Sequence, residues 1–139
     1  MSDPGRAAVR SIVGVWRLIR EVNWDETGQP VKPLFGPEPT GFVSFQANGL
    51  MIVAMTDSRV AAIEGPRGYA SYCGSYTFDG KRLVTDVEDG SSEVWRRTPQ
   101  IRDARFEGEF MILSPPAGAL DRKGVTRELT WERIASNPE

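Results

Sequence analysis

The sequence predicts an all-β fold, an antiparallel up-and-down barrel of eight strands preceded by a short N-terminal helix. Fourteen glycines and ten prolines divide the 139 residues into short segments, which is typical of strands joined by turns. Several of these segments alternate between apolar and polar residues, with the period of two that half-buried strands show. Two dipeptides, Asn48-Gly49 and Asp79-Gly80, separate such segments and indicate tight hairpins.

The predicted helix lies at the N-terminus. Asp3 suits the N-cap, Pro4 suits the first helical position, and the segment continues from Ala7 to Ile12 and ends near Gly14.

The first strand runs from Val15 to Trp24. Strict alternation places four apolar residues on one face and three polar residues on the other: Trp16, Leu18, Val22 and Trp24 against Arg17, Glu21 and Asn23. We therefore expect the first set to face the core.

The other strands follow from the same signals. One of them, Ser92–Phe106, is interrupted near Pro99, because proline cannot donate a hydrogen bond within a sheet. The remaining six are Thr40–Gln46, Leu50–Met55, Gly68–Phe78, Lys81–Glu88, Glu109–Ser114 and Val125–Ile134.

Eight strands in meander order match a closed barrel, which would remove the two free edges of an open sheet. An open sandwich is the alternative. The sequence shows no internal repeat or break in composition, so residues 1–139 are expected to form a single domain. The loop from Asp25 to Pro39 fits either a lid at the barrel mouth or a plain ordered crossover.

Composition excludes several classes of function. The chain has no histidine, which excludes histidine-based catalytic triads and histidine-ligated metals, and its one cysteine excludes an internal disulfide. A net charge of −2 gives no reason to expect nucleic acid, and no apolar run is long enough for a membrane span. We expect no cofactor, no metal site and no secretory signal within Met1–Arg10, and a cytoplasmic location.

Several motifs occur together in a fixed order. They are Val13-Gly14-Val15-Trp16-Arg17-Leu18, Gly36-Pro37-Glu38-Pro39-Thr40-Gly41-Phe42, Asn48-Gly49-Leu50-Met51, Tyr72-Cys73-Gly74-Ser75-Tyr76-Thr77-Phe78-Asp79-Gly80, Gln100-Ile101-Arg102 and Leu129-Thr130-Trp131-Glu132-Arg133. In this order they resemble the bacterial lipocalin-like domain family, whose members are calycin-like β-barrels. The resemblance covers nearly the whole chain.

The resemblance implies a structural role for Trp16, which would lie across the closed end of the barrel, covered by Arg133. The chain also departs from the family. Members often carry a histidine on the strand after the Asp-Gly turn, where this sequence reads Leu83–Glu88, so no catalytic role can be carried over.

Two arginines are candidate ligand-binding residues. Arg20 is in phase with Trp16, so strict alternation points it inward, where it needs a partner. That partner is either a carboxylate such as Asp86 or Glu88, or the acid group of a ligand; a strand bulge that turns Arg20 to solvent is the third alternative. Arg102 occupies the family's arginine position on another strand, and two inward arginines would favour a carboxylate or phenolate ligand.

Three aromatic residues complete the candidate site. Tyr72 and Tyr76 are four residues apart on one strand and share a face, either as pocket wall or as core tyrosines bonded to backbone carbonyls. Trp95 lies near a strand end, where a ring can line the barrel mouth.

The function predicted from these residues is binding of a small, hydrophobic or amphipathic ligand inside the barrel, with an anionic ligand favoured if both arginines face inward. The alternative is a small cofactor-free isomerase, cyclase or lyase that uses tyrosine or a carboxylate for proton transfer. A third interpretation is an interaction module that forms a homodimer through an outer face of the sheet.

Overall fold

The computed structural model describes residues 11–59, 68–92, 98–116 and 124–135. These residues form nine strands: β1 Gly14–Asp25, β2 Pro30–Val31, β3 Pro39–Phe45, β4 Leu50–Asp57, β5 Tyr69–Phe78, β6 Arg82–Gly90, β7 Gln100–Glu107, β8 Phe110–Ser114 and β9 Val125–Ala135. The predicted all-β class is confirmed. The predicted N-terminal helix falls mainly on residues outside the described part, and Ser11–Val13 are not helical.

The sheet closes into an eight-stranded antiparallel barrel, as predicted. Each strand from β3 to β9 pairs with the next, and β1 pairs with both β3 and β9, which completes the ring. The two-residue β2 pairs with the far end of β1, opposite Asn23 and Trp24, and is not part of the ring. Closure leaves none of these eight strands with a free edge.

Short turns close one end of the barrel. Gly49 (φ +89°) and Gly80 (φ +102°) lie in the turns that join β3 to β4 and β5 to β6, where a left-handed backbone favours glycine. The Asp79 carboxylate accepts the backbone N–H groups of Lys81 and Arg82 at 2.8 and 2.7 Å, and these bonds hold its pKa below the usual value. Both hairpins predicted from Xaa-Gly dipeptides are therefore present.

Aromatic side chains fill this closed end. Phe106 lies 6.5 Å from Trp16 and 6.4 Å from Phe78, measured between ring centroids, and Phe45 packs edge-on against Tyr76 at 5.1 Å. Such pairs add to the free energy of burial beyond their area alone.

Arg133 covers Trp16, as the resemblance implied. Its guanidinium carbon lies 4.3 Å above the indole centroid, and its Nη atoms donate to the carbonyls of Val13 and Ser11 at 2.6 Å. The Trp16 indole N–H donates to the Ile12 carbonyl at 2.9 Å. The segment before β1 is thereby tied across the packed end of the barrel.

The opposite end is open. There the chain connects β1 to β3, β4 to β5, β6 to β7 and β8 to β9; the structure describes the first of these connections in full and only the ends of the other three. This end carries the candidate site.

Candidate functional site

A cavity of about 660 Å³ lies inside the barrel and extends as far as Phe45 near the packed end. Inward-facing side chains of several strands line it with apolar surface, among them Phe45, Met51, Val53, Leu113 and Leu129. The volume falls within the ordinary range for small-molecule pockets.

The crossover between β1 and β3 covers part of this cavity. Leu34 and Phe35 line it, and Phe35 is only 2% exposed. The segment predicted as either a lid or an ordered crossover thus forms part of the cavity wall.

Glu21 holds this crossover in place. Its Oε1 accepts the Phe35 backbone N–H at 2.9 Å, and its Oε2 accepts the Leu34 N–H at 3.0 Å. Oε2 also accepts from Asn23 Nδ2 at 2.8 Å and from Arg127 Nε at 2.9 Å. Because the Glu21 side chain is fully buried, these donors supply what water would otherwise provide.

A bulge in β1 explains why Glu21 faces inward. In the pairing with β9, Leu18 lies opposite Trp131 and Arg20 lies opposite Thr130, so Ile19 is an extra residue without a partner. The extra residue reverses the alternation, as expected of a bulge.

The prediction that Arg20 points inward is therefore wrong. The third alternative, a strand bulge that turns Arg20 to solvent, is confirmed. Arg20 is exposed on the outer face, as is Val22, which was assigned to the core face. Glu21 and Asn23, assigned to the outer face, are buried inside.

Arg102 lines the cavity, as the sequence suggested. Its Nη1 donates to the Ile101 carbonyl at 2.7 Å and its Nη2 to Gln100 Oε1 at 3.0 Å, both neutral acceptors. No carboxylate among the described residues forms an ion pair with it. Among the described residues, Arg102 therefore borders the cavity with no carboxylate paired to its charge.

Arg127 is the second cavity-lining cation, and sequence reasoning missed it. Its Nε is shared between Glu21 and Asn23 Oδ1, the latter at 3.2 Å. Arg127 is in phase with Leu129 and Trp131 on β9, and this alternation was the available signal. The sequence predicted Arg20 and Arg102 at the pocket. The structure instead places Arg102 and Arg127 at the cavity.

The two tyrosines separate into different roles. Tyr72 lines the cavity, and burial raises the pKa of its hydroxyl while the charge of Arg102 acts to lower it. Tyr76 is partly buried near the β3–β4 turn and does not line the cavity; its hydroxyl donates to the Gln46 carbonyl at 2.8 Å, and burial raises its pKa. Tyr76 thus packs against the core and bonds to a backbone carbonyl, the geometry of the second alternative. Trp95 lies outside the described residues.

Trp131 contributes one more polar group. The residue is 1% exposed and lines the cavity wall. Its Nε1 is the one buried side-chain nitrogen or oxygen in the described residues without a hydrogen-bond partner. An unsatisfied buried donor of this kind costs about 1–3 kcal/mol.

No cluster of three or more acidic or cysteine side chains with metal-binding geometry occurs in the described ranges. No described segment forms a helix with the length and apolar character that a membrane crossing needs. Comparison of the sequence with models of known protein families gives no match, and comparison with curated proteins gives none either.

Proposed function

We propose that this protein is a lipocalin-like barrel that binds a small, mostly apolar molecule carrying an anionic group. The observation that carries the proposal is an apolar cavity whose only charged lining residues, among those described, are the arginines Arg102 and Arg127.

Charge balance supports an anionic ligand. Arg127 is paired with Glu21, whereas Arg102 has neutral hydrogen-bond acceptors only, so the described residues leave one positive charge uncompensated at the cavity. Arginine binds carboxylates strongly, in part because its planar donors match both oxygens. A carboxylate or phenolate would therefore complete the site.

The apolar walls support a hydrophobic body for the same ligand. Phe45, Met51, Val53 and Leu129 offer no hydrogen-bonding side chains, so specificity in that region depends on shape and burial.

Proton-transfer catalysis has less support. Glu21 holds four donors at 2.8–3.0 Å, and these saturate a carboxylate that a base would need to keep available. Tyr72 lines the cavity without Tyr76 opposite it, so the described site lacks a pair of facing phenols.

The proposal is tested by native mass spectrometry of protein purified gently from its own cells, with extraction and identification of any bound molecule. We expect a stoichiometric adduct that is lost in Arg102→Gln and kept in Arg20→Gln, because Arg20 is exposed on the outer face. A bare protein mass, together with no measurable affinity for dodecanoic acid in calorimetry, would contradict it.

A further inference from the structure

We propose that the outer face of β3, β4 and β5 binds the same face of a second copy of this chain, with a two-fold axis along β4. This surface, called here the neutral face, consists of the outward residues of the three strands: Thr40, Phe42, Ser44, Leu50, Ile52, Ala54, Thr56, Tyr69, Ser71, Cys73, Ser75 and Thr77. None of these residues lines the cavity, so the inference is independent of the proposed ligand.

The composition of the neutral face is unusual for a solvent-exposed sheet. Its twelve residues include no charged side chain, although charged residues make up 26% of the chain and normally lie outside. Its centre is apolar and accessible, since Ile52 is 57% exposed and Leu50 and Phe42 are nearly half exposed. Depletion of charge around exposed apolar and aromatic residues is typical of the core of a protein interface.

Strand register makes the neutral face complementary to itself. Pairing across β3, β4 and β5 forms two adjacent rows, namely Phe42–Ala54–Ser71 and Ser44–Ile52–Cys73. A two-fold axis along β4 places Ile52 against its own copy and lays β3 of one copy over β5 of the other. The large Phe42 ring then meets the small Ser71 side chain of the second copy.

The charges at the two borders of the neutral face select this direction of the axis. Arg17 on β1 borders it on one side, with its guanidinium carbon 4.9 Å above the Phe42 ring centroid. Glu88 and Asp89 on β6 are exposed at the other border, where Asp89 pairs with Cys73. An axis along β4 brings the arginine of one copy to the acidic border of the other, whereas an axis across the strands brings arginine to arginine. Opposite charges at the rim favour the first arrangement.

The size of the surface indicates how tight the dimer is. Five strands spaced about 4.8 Å apart, each contributing about seven residues, give a projected area of roughly 550 Å². Standard interfaces bury about 800 Å² on each partner, and weak, transient ones bury less than about 600 Å². We therefore expect a weak dimer that dissociates on dilution.

Sedimentation velocity of the full chain between about 10 and 400 µM measures the association, and we expect the mean mass to rise toward that of a dimer. Ile52→Lys should weaken association at least about 10-fold, because two ammonium groups would be buried at the axis. Ile134→Lys is the matched control, since Ile134 is 42% exposed on β9, three strands around the barrel from β4. A monomer at every concentration, or equal effects of the two lysines, would overturn the proposal.

A disulfide tests the direction of the axis. Within one chain, two strand spacings of roughly 10 Å separate Ser44 from Cys73, which is too far for a disulfide. In the proposed dimer, Ser44 of one copy faces Cys73 of the other. Ser44→Cys should therefore form a covalent dimer on mild oxidation, seen on a non-reducing gel, and Ser44→Cys/Cys73→Ser should not.

The other disulfide outcomes contradict this geometry. A covalent dimer of the unmodified protein, or of the double variant at the same rate as Ser44→Cys, would mean that like residues face each other and would overturn the axis along β4. The absence of a covalent dimer in Ser44→Cys would overturn it too. Cavity binding is measured separately, so none of these results bears on the proposed ligand.

Discussion

At the level of single residues, Glu21 connects the site to the rest of the barrel. One carboxylate binds two backbone N–H groups of the β1–β3 crossover, an amide and a guanidinium. It thereby fixes the segment that carries Phe35 and orients Arg127, which lines the cavity. Removal of this group should affect both stability and ligand binding.

Glu21→Gln is expected to destabilise the fold by about 2–3 kcal/mol, because an amide offers one acceptor oxygen and leaves buried donors unpaired. Urea unfolding followed by tryptophan fluorescence measures this. Glu109→Gln, at an exposed turn, is the control and should change stability by less than about 0.5 kcal/mol. Equal stabilities of the two variants would show that the Glu21 cluster does not stabilise the fold.

Tyr72 gives the site a pH dependence at alkaline pH. Burial raises its pKa in the folded state, so the folded protein keeps the proton after the unfolded chain has begun to release it near pH 10. This contribution to stability is fully present below pH 10 and is lost as pH rises through the folded-state pKa. Tyr72→Phe should therefore flatten the fall in stability above pH 10.

The measurement is urea unfolding at a series of pH values from 8 to 11. Tyr69→Phe is the control, because Tyr69 is 57% exposed and its removal should leave the pH profile unchanged. A wild-type profile that coincides with that of Tyr72→Phe would contradict the assignment.

At the level of elements, the bulge in β1 determines which residues reach the cavity. Leu18 and Glu21 both face inward although their numbers differ by three, because Ile19 is accommodated without a partner. Deletion of Ile19 would regularise the strand and leave Glu21 facing inward.

We expect the protein without Ile19 to fold and to retain the Glu21 contacts. Deletion of Val22 should instead move Asn23 to the outer face and remove its bonds to Glu21 and Arg127, which costs at least about 2 kcal/mol more. Thermal unfolding of the two deletion variants would test this order. The reverse order would mean that the bulge itself is required.

The same bulge explains why the sequence-based assignment of the second half of β1 failed. Hairpin turns and strand alternation were sufficient for the strand order of the barrel. The Trp16–Arg133 pair was expected from the resemblance alone, and the inward position of Arg102 from the resemblance together with the alternation of its strand. A bulge carries no residue signature in this strand, so one inserted position sent Arg20 outward and Glu21 inward. Arg127 was predictable from the alternation of β9, but the Glu21 bond that orients it was not, because it joins distant segments.

At the level of the whole molecule, the barrel has a packed end and an end that contains the cavity. The aromatic pairs and the short turns lie at the first, and the described β1–β3 crossover with Leu34 and Phe35 lies at the second. The proposed ligand would therefore contact the cavity walls and the crossover rather than the packed end. Membership of the lipocalin-like family, the cytoplasmic location and the homodimer stay predictions.

Binding should raise the unfolding temperature of the whole domain. A ligand present at 100 times its dissociation constant stabilises the folded state by about 2.7 kcal/mol, which corresponds to roughly 10 °C for a domain of this size. Differential scanning fluorimetry with dodecanoic acid checks this. Arg102→Gln should show a smaller shift at the same concentration, and no shift in wild type would count against the proposed site.

Closure of the barrel by β1 and β9 also determines when the protein can fold during synthesis. Val15 pairs with Ala135, so the first strand keeps an unpaired edge until the last strand has emerged from the ribosome. The Trp16–Arg133 contact spans the same interval of chain. Such long-range pairing slows folding, and the exposed edge offers other chains a place to pair. We therefore expect a nascent chain stalled before β9 to be protease-sensitive and prone to aggregate, and to acquire native resistance only after β9 is released.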